Sequence, residues 1–283
     1  MSLKKQTLTV SVVIPAYNEE AVIMTCLHAL LEQTVKPDEI IVVDNNSTDS
    51  TAALVSTVNG VRLIREPKQG IAHARNAGFN AASSDIIARI DADTIVPADW
   101  IEQIRGQLSA DGALVGISGP ASFYDHPFGR AADHTFNSWN YWGNRLIAGS
   151  PILWGSNMAF RRSAWLQVRD AVNNDDSYWE DVDLSMRVRS FGTIGYIREL
   201  QTATSARSCL ASSTQLARYF ARWPRTYAQF GFRTTIISRL LYLSLTLLWL
   251  PGVLAKPIAR QKELARVRQQ RLQQRLKAWI GNI

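Results

Sequence analysis

Apolar, β-branched runs alternate with helix-like segments over the first 118 residues, and this alternation constrains the fold more than any other feature. The runs are Val10–Ile14, Ile40–Val43, Val61–Arg65, Asp85–Ile90 and Ala113–Ser118. Between them, apolar residues recur at helical spacing in Glu19–Gln33, Ile71–Ala82 and 97–108, and Ser47 or Thr48 is expected to cap a further helix. Repeated strand–helix order predicts an α/β fold, with a Rossmann-like, mostly parallel sheet and helices on both faces.

Two carboxylates follow the fourth of these runs, in the triplet Asp91-Ala92-Asp93. The carboxyl ends of parallel strands form the edge at which open α/β sheets bind ligands. Mg²⁺ takes few protein carboxylates and completes its coordination with substrate phosphates and water. The triplet therefore predicts a metal–diphosphate site, although an Asp-x-Asp in a solvated turn is the alternative.

Four other polar segments stand at predicted strand ends or helix starts: Val13–Glu20, Val43–Asp49, Gly70–Gly78 and Trp179–Leu184. With the acidic triplet, they make residues 8–200 resemble a family 2 glycosyltransferase of the GT-A fold, an inverting enzyme that uses nucleotide sugars. The resemblance implies the fold and the type of reaction. It does not name the sugar, because one fold hosts many specificities.

The resemblance implies a nucleotide pocket lined by Pro15, Ala16, Tyr17, Glu19, Asp44, Arg75 and Asp91. Asp44 would hydrogen-bond the base, and Arg75 would approach the nucleotide or its diphosphate. Asp91 would take the ribose or a metal-bound water, and Asp93 would hold Mg²⁺ or Mn²⁺. An Asx-turn is the structural alternative for Asp44, and a surface position on a helix is that for Arg75.

The resemblance also assigns Asp181 as the catalytic base, which removes the proton of the acceptor hydroxyl during an inverting transfer. It places on the donor and acceptor side Trp154, Gly155, Ser156, Asn157, Trp179 and Glu180. Trp154 and Trp179 could stack on sugars or belong to the core. Glu180 could instead be an acid favoured at a helix start. Arg207 corresponds to a basic cluster that assists the leaving diphosphate in some members.

The charge distribution divides the chain near residue 207. Residues 1–207 contain 18 basic and 23 acidic residues, whereas residues 208–283 contain 13 basic residues and one acid, Glu263. We therefore expect a catalytic domain at 1–207 and a basic helical region at 208–283. Residues 240–255 are apolar but shorter than the ~20 residues of a spanning helix. An anionic membrane surface is the expected partner of this region, and a helical pair packed on the body is the alternative.

These features together predict transfer of a single sugar to a glycan or lipid-linked acceptor, with a UDP-sugar as default donor and GDP- or dTDP-sugars open. Processive relatives carry Gln-x-x-Arg-Trp, whereas here Tyr219 stands in the glutamine position before Arg222-Trp223. The two cysteines, the absence of zinc spacing and an N-terminus without signal-peptide character favour the cytoplasmic side of the membrane, with peripheral or monotopic attachment.

Three other functions remain open from the residues. A sugar-1-phosphate nucleotidyltransferase would carry a glycine-rich basic loop after the first strand, where this chain has Pro15–Glu20. A nucleic-acid-binding protein could use the basic region, but no nucleic-acid motif is recognised in it. An inactive relative would be expected to have lost Asp91, Asp93 or Asp181, all of which are present.

Overall fold

The computed structural model describes residues 7–126, 129–207, 213–231, 233–241 and 243. Residues 208–212, 232, 242 and 244–283 of the expected basic region lie outside these described residues, and they include most of the apolar segment 240–255. No helix among the described residues combines the length and apolar character needed to cross a bilayer.

Seven strands form one sheet in the spatial order β3-β2-β1-β4-β7-β5-β8. They are β1 (Val10–Ala16), β2 (Glu39–Asp44), β3 (Val61–Arg65), β4 (Ile86–Arg89), β5 (Leu114–Ser118), β7 (Met158–Arg161) and β8 (Thr193–Tyr196). All neighbours pair in parallel except β7, which is antiparallel to both β4 and β5. The short strands β6 (Ala121–Phe123) and β9 (Thr202–Thr204) pair separately. The predicted mostly parallel sheet is confirmed.

Helices connect these strands and follow them along the chain. They are α1 (Ile23–Leu31), α2 (Thr51–Ser56), α3 (Ile71–Ala81), α4 (Trp100–Ala110), α5 (Arg130–Ser138), α6 (Asn144–Ala148), α7 (Arg162–Val168), α8 (Glu180–Val188) and α9 (Ser213–Ala228). A π-helical turn, Trp139–Gly143, joins α5 to α6, and residues 233–241 are also helical.

Two hydrophobic clusters lie on the two faces of the sheet, and β1 contributes to both. Val12 and Ile14 pack in the cluster that α1 and α4 cover, whereas Val13 packs in the cluster that α3, α7 and α8 cover. Side chains alternate between faces along a strand, so a strand covered on both sides is apolar throughout. This explains the continuous apolar runs of the sequence and confirms helices on both faces.

Element boundaries differ from the sequence prediction at three places. The helix expected after Ser47 or Thr48 begins only at Thr51, whose backbone N–H donates to Asp49 Oδ1 at 2.9 Å. The capping prediction is therefore wrong, because Ser50 is the N-cap residue and Ser47 and Thr48 lie before it in the loop. The helix expected from residue 97 begins at Trp100, and the helix expected from Glu19 begins at Ile23.

A third cluster joins the segment 139–152 to α8 and α9. The Trp139 and Trp223 ring centroids lie 5.2 Å apart, and Tyr227 donates from its hydroxyl to Asn144 Oδ1 at 2.8 Å. The cluster is shared between this segment and α9, because Trp223 and Tyr227 of α9 are both buried in it.

Candidate active site

Five segments with sequence-predicted site residues meet at one edge of the sheet. Strands β1, β2 and β4 are parallel, so the residues that follow Ala16, Asp44 and Arg89 emerge on the same side. Strand β7 runs the other way, and its first residue, Met158, pairs with Arg89. The segment just before β7 therefore reaches the edge as well. The first turn of α8 completes this cleft, through contacts with Arg89 that are described below.

The loops after β1 and β2 are bonded to one another. Asn18 adopts a positive φ of 54°, and its Oδ1 accepts from the backbone N–H of Thr48 at 2.8 Å. Its own N–H donates to the Ser47 hydroxyl at 3.1 Å. Asparagine tolerates the left-handed conformation better than most residues. The pair of loops thus forms one preformed wall of the cleft.

The predicted nucleotide-pocket residues are not equally accessible on that wall. Pro15 and Ala16 are buried within β1, whereas Tyr17 is 48% exposed. Asp44 is buried, and its Oδ1 accepts from the N–H of Ser47 at 3.3 Å. The bond runs to the third residue on, whereas an Asx-turn would bond the second, so Asp44 is a local hydrogen-bond acceptor of this loop without forming the expected Asx-turn. A contact between Asp44 and a nucleotide stays a prediction.

Asp93 and Glu19 share one cationic partner. Arg207 Nη2 donates to Asp93 Oδ2 at 2.8 Å and to Glu19 Oε2 at 2.7 Å. Asp93 Oδ1 accepts from the Thr204 hydroxyl at 3.0 Å. Burial raises the pKa of the Glu19 carboxyl, although Arg207 opposes this. The side chain of Glu19 therefore faces Asp93 across a single positive charge.

The acidic triplet supplies two carboxylates to this edge of the sheet. The oxygen donors of Asp91 and Asp93 suit hard ions such as Mg²⁺ and Mn²⁺. Within the part of the chain that the structure describes, no group of three or more His, Cys, Asp or Glu side chains is placed so that it could hold a metal ion. Such a site would need further ligands from a phosphate or water, which is how Mg²⁺ is usually bound beside substrates.

Arg89, the last residue of β4, connects the acidic triplet to α8. Its Nη1 donates to Asp181 Oδ1 at 2.8 Å and to Glu180 Oε1 at 2.9 Å, and its Nη2 donates to Asp91 Oδ1 at 3.1 Å. The Arg89 side chain is only 2% exposed. One buried guanidinium therefore brings together three carboxylates from two distant parts of the sequence.

Asp181 and Glu180 are adjacent in sequence but have opposite pKa shifts. Burial and the neighbouring Glu180 charge raise the pKa of the Asp181 carboxyl to about 8, against the attraction of Arg89. Burial also disfavours the Glu180 carboxylate, but Arg89 and Arg75 outweigh it, so the pKa of Glu180 is lowered. Carboxylates whose environments separate their pKa values are typical of acid–base sites.

Arg75 lies beneath the cleft. It is fully buried on α3, its Nη1 donates to the Glu180 backbone carbonyl at 2.7 Å, and its Nε donates to Asn76 Oδ1 at 2.9 Å. This placement differs from both sequence interpretations, a surface arginine and a nucleotide contact. Its described contacts support the start of α8, and none of its surface is exposed to a ligand.

The segment before β7 contributes backbone more than side chains. The N–H of Gly155 donates to Asp181 Oδ2 at 2.8 Å. Asn157 is fully buried, accepts from the Trp100 indole N–H at 3.0 Å and donates to the Leu200 carbonyl at 2.5 Å. Asn157 therefore supports the site from the core. The buried Ser156 Oγ has no hydrogen-bond partner among the described residues.

The two predicted stacking tryptophans differ in exposure. Trp179 is 5% exposed and lies in the third cluster, with its ring centroid 5.8 Å from that of Trp154. Trp154 is half-buried and also packs edge-on against Phe136 at 5.2 Å. The burial of Trp179 supports a position in the core rather than stacking on a sugar. Trp154 remains the candidate for contact with a sugar.

Sequence reasoning gave no role to Arg89, although a visible signal existed. Arg89 is the lone charge within the apolar stretch Ile86–Ile90 that precedes the triplet. A charge buried in a strand needs ionic partners, so its presence indicates carboxylates nearby. The partners themselves could not be read from the sequence, because Glu180 and Asp181 lie 91 and 92 positions away.

Comparison with known proteins agrees with this geometry. Residues 11–168 match the family model for Glycosyl transferase family 2. The glycosyltransferase AglE of Haloferax volcanii is 36% identical over 136 residues, which cover 46% of this chain and 44% of AglE. The putative glycosyltransferase EpsH of Bacillus subtilis is 33% identical over 124 residues, which cover 42% of this chain and 36% of EpsH. The chain thus spans less than half the length of these relatives.

A solved structure matches nearly the whole chain. The mannosyltransferase PcManGT of Pyrobaculum calidifontis, in complex with GDP-Man and Mn²⁺, superposes with a TM-score of 0.65 at 18% identity. The match covers 96% of this chain and 87% of that one. At this identity the likeness concerns the fold alone. The family match, which covers more than half of the sequence, establishes that the chain belongs to glycosyl transferase family 2 and has the GT-A fold.

Proposed function

We propose that this protein is an inverting glycosyltransferase that moves a single sugar from a nucleotide-diphosphate sugar to a hydroxyl of a glycan or lipid-linked acceptor. The observation that carries the proposal is the single guanidinium that Asp181 and Asp91 share. This contact holds a candidate base and a candidate diphosphate site against one another, within the span of one substrate. A displacement at one carbon needs a base for the attacking hydroxyl and a site for the leaving diphosphate, and Asp181 and Asp91 would supply these two functions close together.

Asp181 acts as general base in the proposed reaction. Its carboxylate accepts the acceptor hydroxyl proton while that oxygen forms a bond to the anomeric carbon, and the bond from that carbon to the diphosphate breaks on the opposite face. A raised pKa makes the Asp181 carboxylate a stronger base than an ordinary aspartate. The configuration at the anomeric carbon is inverted because the two bonds lie on opposite faces.

Asp93, assisted by Asp91, would hold Mg²⁺ or Mn²⁺ at the diphosphate. When bound, the cation would neutralise negative charge that develops on the leaving phosphate. Arg207 already lies against Asp93 and is the nearest guanidinium described there, so it would contact the same phosphates once released from the carboxylate. The Mn²⁺ and GDP-Man named with PcManGT support this assignment.

The nucleotide would bind along the bonded loops after β1 and β2. Tyr17 offers an exposed ring there, and Asp44 and Glu19 lie on the same wall. UDP-sugars are the first donors to test, followed by GDP- and dTDP-sugars. Buried polar contacts to a base discriminate strongly, so we expect one nucleotide to be preferred.

The first experiment is donor hydrolysis by purified protein with a panel of nucleotide sugars, in Mn²⁺, in Mg²⁺ and in EDTA. Metal-dependent release of one nucleoside diphosphate, lost in Asp93→Asn, is the expected result. Glu20→Gln serves as a control, since its carboxylate caps Ser50 at the protein surface. Absence of both hydrolysis and nucleotide binding by calorimetry would refute the proposed function.

We also propose that the C-terminal region, residues 208–283, attaches the protein to an anionic membrane surface on the cytoplasmic side. In the helical segment 233–241, Ile237 and Leu241 pack on the third cluster, whereas Ile236 and Leu240 are exposed. The sequence that follows is apolar to residue 255 and carries eight basic residues and one acid over 256–280. Each basic residue near an anionic leaflet contributes about 1 kcal/mol.

Vesicle flotation tests this attachment. We expect full-length protein to float with phosphatidylserine-containing vesicles at low salt and to be released as salt is raised. Leu240→Asp, which places a charge on the exposed apolar face, should weaken flotation without affecting donor hydrolysis. Equal recovery with neutral and anionic vesicles, or with none, would contradict the proposal and favour a helical pair packed on the body.

A further inference from the structure

Arg89 occupies a position where a charge is costly. It ends β4, whose other residues, Ile86, Ile87 and Ala88, are fully buried in the two core clusters. A guanidinium can be buried only where anionic partners compensate the loss of hydration. The compensating carboxylates lie outside β4, so Arg89 connects the sheet to α8 and to the acidic triplet.

The partners of Arg89 are the groups on which the proposed reaction depends. Nη1 lies between Asp181 and Glu180 at the start of α8, and Nη2 lies against Asp91. The two ends of the guanidinium thus contact the base and the acidic triplet separately. A planar fork can do this, whereas an ammonium is a single point charge.

Asp181 is also held from its other side. Asp181 Oδ1 accepts from Arg89 and Oδ2 accepts from the N–H of Gly155, each at 2.8 Å. A Cβ atom at position 155 would lie 2.8 Å from Arg89 Cζ and 2.9 Å from Asp181 Oδ2. Only glycine allows the backbone to approach this closely. Both oxygens of the carboxylate are therefore fixed, which sets the plane of the carboxylate relative to the cleft.

We propose that Arg89 is a positioning residue that fixes the orientation of the Asp181 carboxylate and its separation from Asp91. The proposal rests on the proposed function, since it concerns the base of that reaction. Arg89 itself is too deeply buried to contact the sugar or the acceptor. Its effect passes through Asp181, and a displacement of about 1 Å in such a group can cost ~10²-fold in rate.

The test compares Arg89→Lys with Arg161→Lys. Lysine keeps the charge at position 89 but cannot contact Asp181 and Asp91 through two separate nitrogens. Arg161, at the opposite end of β7, donates to the backbone carbonyls of Leu114 and Leu108, and its replacement controls for the general effect of losing a half-buried, hydrogen-bonded guanidinium. For each protein we would measure kcat, donor KM, nucleoside diphosphate affinity by calorimetry and the melting temperature.

We expect Arg89→Lys to lower kcat about 10²-fold, while donor KM and nucleoside diphosphate affinity stay within about threefold. Arg161→Lys should leave kcat within about threefold. Gly155→Ala provides a second route to the same change if Arg89→Lys does not fold, because its methyl group would push the Asp181 carboxylate from its place. It too should lower kcat and spare nucleotide affinity.

Three results would overturn the proposal. One is a kcat of Arg89→Lys close to that of the unmodified protein. Another is an equal loss in Arg161→Lys, and the third is a loss of nucleotide affinity as large as the loss of kcat. Failure of the proposed function itself is distinguishable, because the unmodified protein would then release no nucleoside diphosphate, and the positioning role would fall with it.

Discussion

Arg207 and Asp93 form an ion pair of 2.8 Å at the mouth of the candidate metal site, although 114 positions separate them in the sequence. The same Arg207 nitrogen reaches Glu19, which belongs to the loop after β1. A positive charge therefore already lies beside the carboxylate that is proposed to bind a cation. Metal binding at Asp93 must compete with this guanidinium or shift it toward the diphosphate.

We therefore expect Arg207→Gln to increase the Mn²⁺ affinity of the nucleotide-free protein. The Arg207 side chain is half exposed, so the ion pair is worth at most ~1 kcal/mol, which corresponds to about fivefold in affinity. Electron paramagnetic resonance of free Mn²⁺ measures the change. Arg62→Gln removes a surface ion pair with Glu39 elsewhere and should leave Mn²⁺ affinity as it was. Weaker Mn²⁺ binding by Arg207→Gln would contradict the competition.

The raised pKa of Asp181 predicts a pH dependence of turnover. A general base must be deprotonated, so kcat/KM should rise about tenfold per pH unit below a pKa of about 8 and level off above it. Initial rates with saturating metal from pH 5.5 to 9.5 provide the measurement. A profile that is flat from pH 6 to 8 would show that Asp181 is already ionised there and would contradict the prediction.

A pH-dependent change in protein stability cannot produce the same rise in kcat/KM. The pKa of Asp181 is about 8 in the folded protein against an ordinary value of 3.8, so the folded state holds a proton that the unfolded chain has lost between these values. Stability decreases with pH wherever the folded state binds more protons. The contribution of Asp181 to the free energy of unfolding thus falls as the pH rises, which is opposite to the expected trend of the rate.

The sequence predicted the fold well because the patterns that indicate strands and helices each lie within a short stretch of sequence. Ile40–Val43 is apolar at every position, and Val10–Ile14 is apolar except at Ser11, which agrees with burial on both faces of a parallel sheet. The network at Arg89 was not predictable in the same way. Its contacts with Glu180 and Asp181 depend on the antiparallel insertion of β7 and on the placement of α8. Neither has a signal within a short stretch of sequence.

Arg75 illustrates the same limit. Its position on a helix after Gly70 was read correctly, since α3 spans Ile71–Ala81. Which way its side chain faces depends on how α3 packs on the sheet and on α8. The structure turns Arg75 inward, toward the Glu180 carbonyl. Helical periodicity did not reveal this, because arginine is usually taken as a polar-face residue.

The packing of α3 on the sheet gives a prediction about stability. A Cβ at Gly78 would lie 2.3 Å from Val13 Cγ1 and 2.9 Å from Val43 Cγ2, so helix and sheet must separate to admit it. We expect Gly78→Ala to destabilise the fold by about 1–3 kcal/mol. Gly106→Ala is the matched control in α4, where nothing lies within 4 Å, and should stabilise by up to ~1 kcal/mol. Urea denaturation of both variants measures the difference, and equal midpoints would contradict the close packing.

Substitution of the proposed base separates chemistry from binding. Asp181→Asn keeps the size of the side chain and an oxygen able to accept from Arg89 or Gly155, but it cannot take up a proton. We expect turnover to fall by about 10²- to 10⁴-fold, the usual contribution of a general base. Nucleoside diphosphate affinity, measured by calorimetry, should change little, because Asp181 is proposed to contact the acceptor rather than the nucleotide.

A second carboxylate on α8 provides the comparison for this variant. Asp183 is fully buried, whereas Asp181 keeps 5% of its surface exposed, and Asp183 accepts hydrogen bonds from Asn173 and Arg187 on the side of α8 away from Arg89. Asp183→Asn should therefore lower stability more than turnover per folded molecule. If Asp183→Asn lost turnover while Asp181→Asn retained it, the base would have been assigned to the wrong carboxylate, and the proton would have to leave through the face of α8 that carries Arg187.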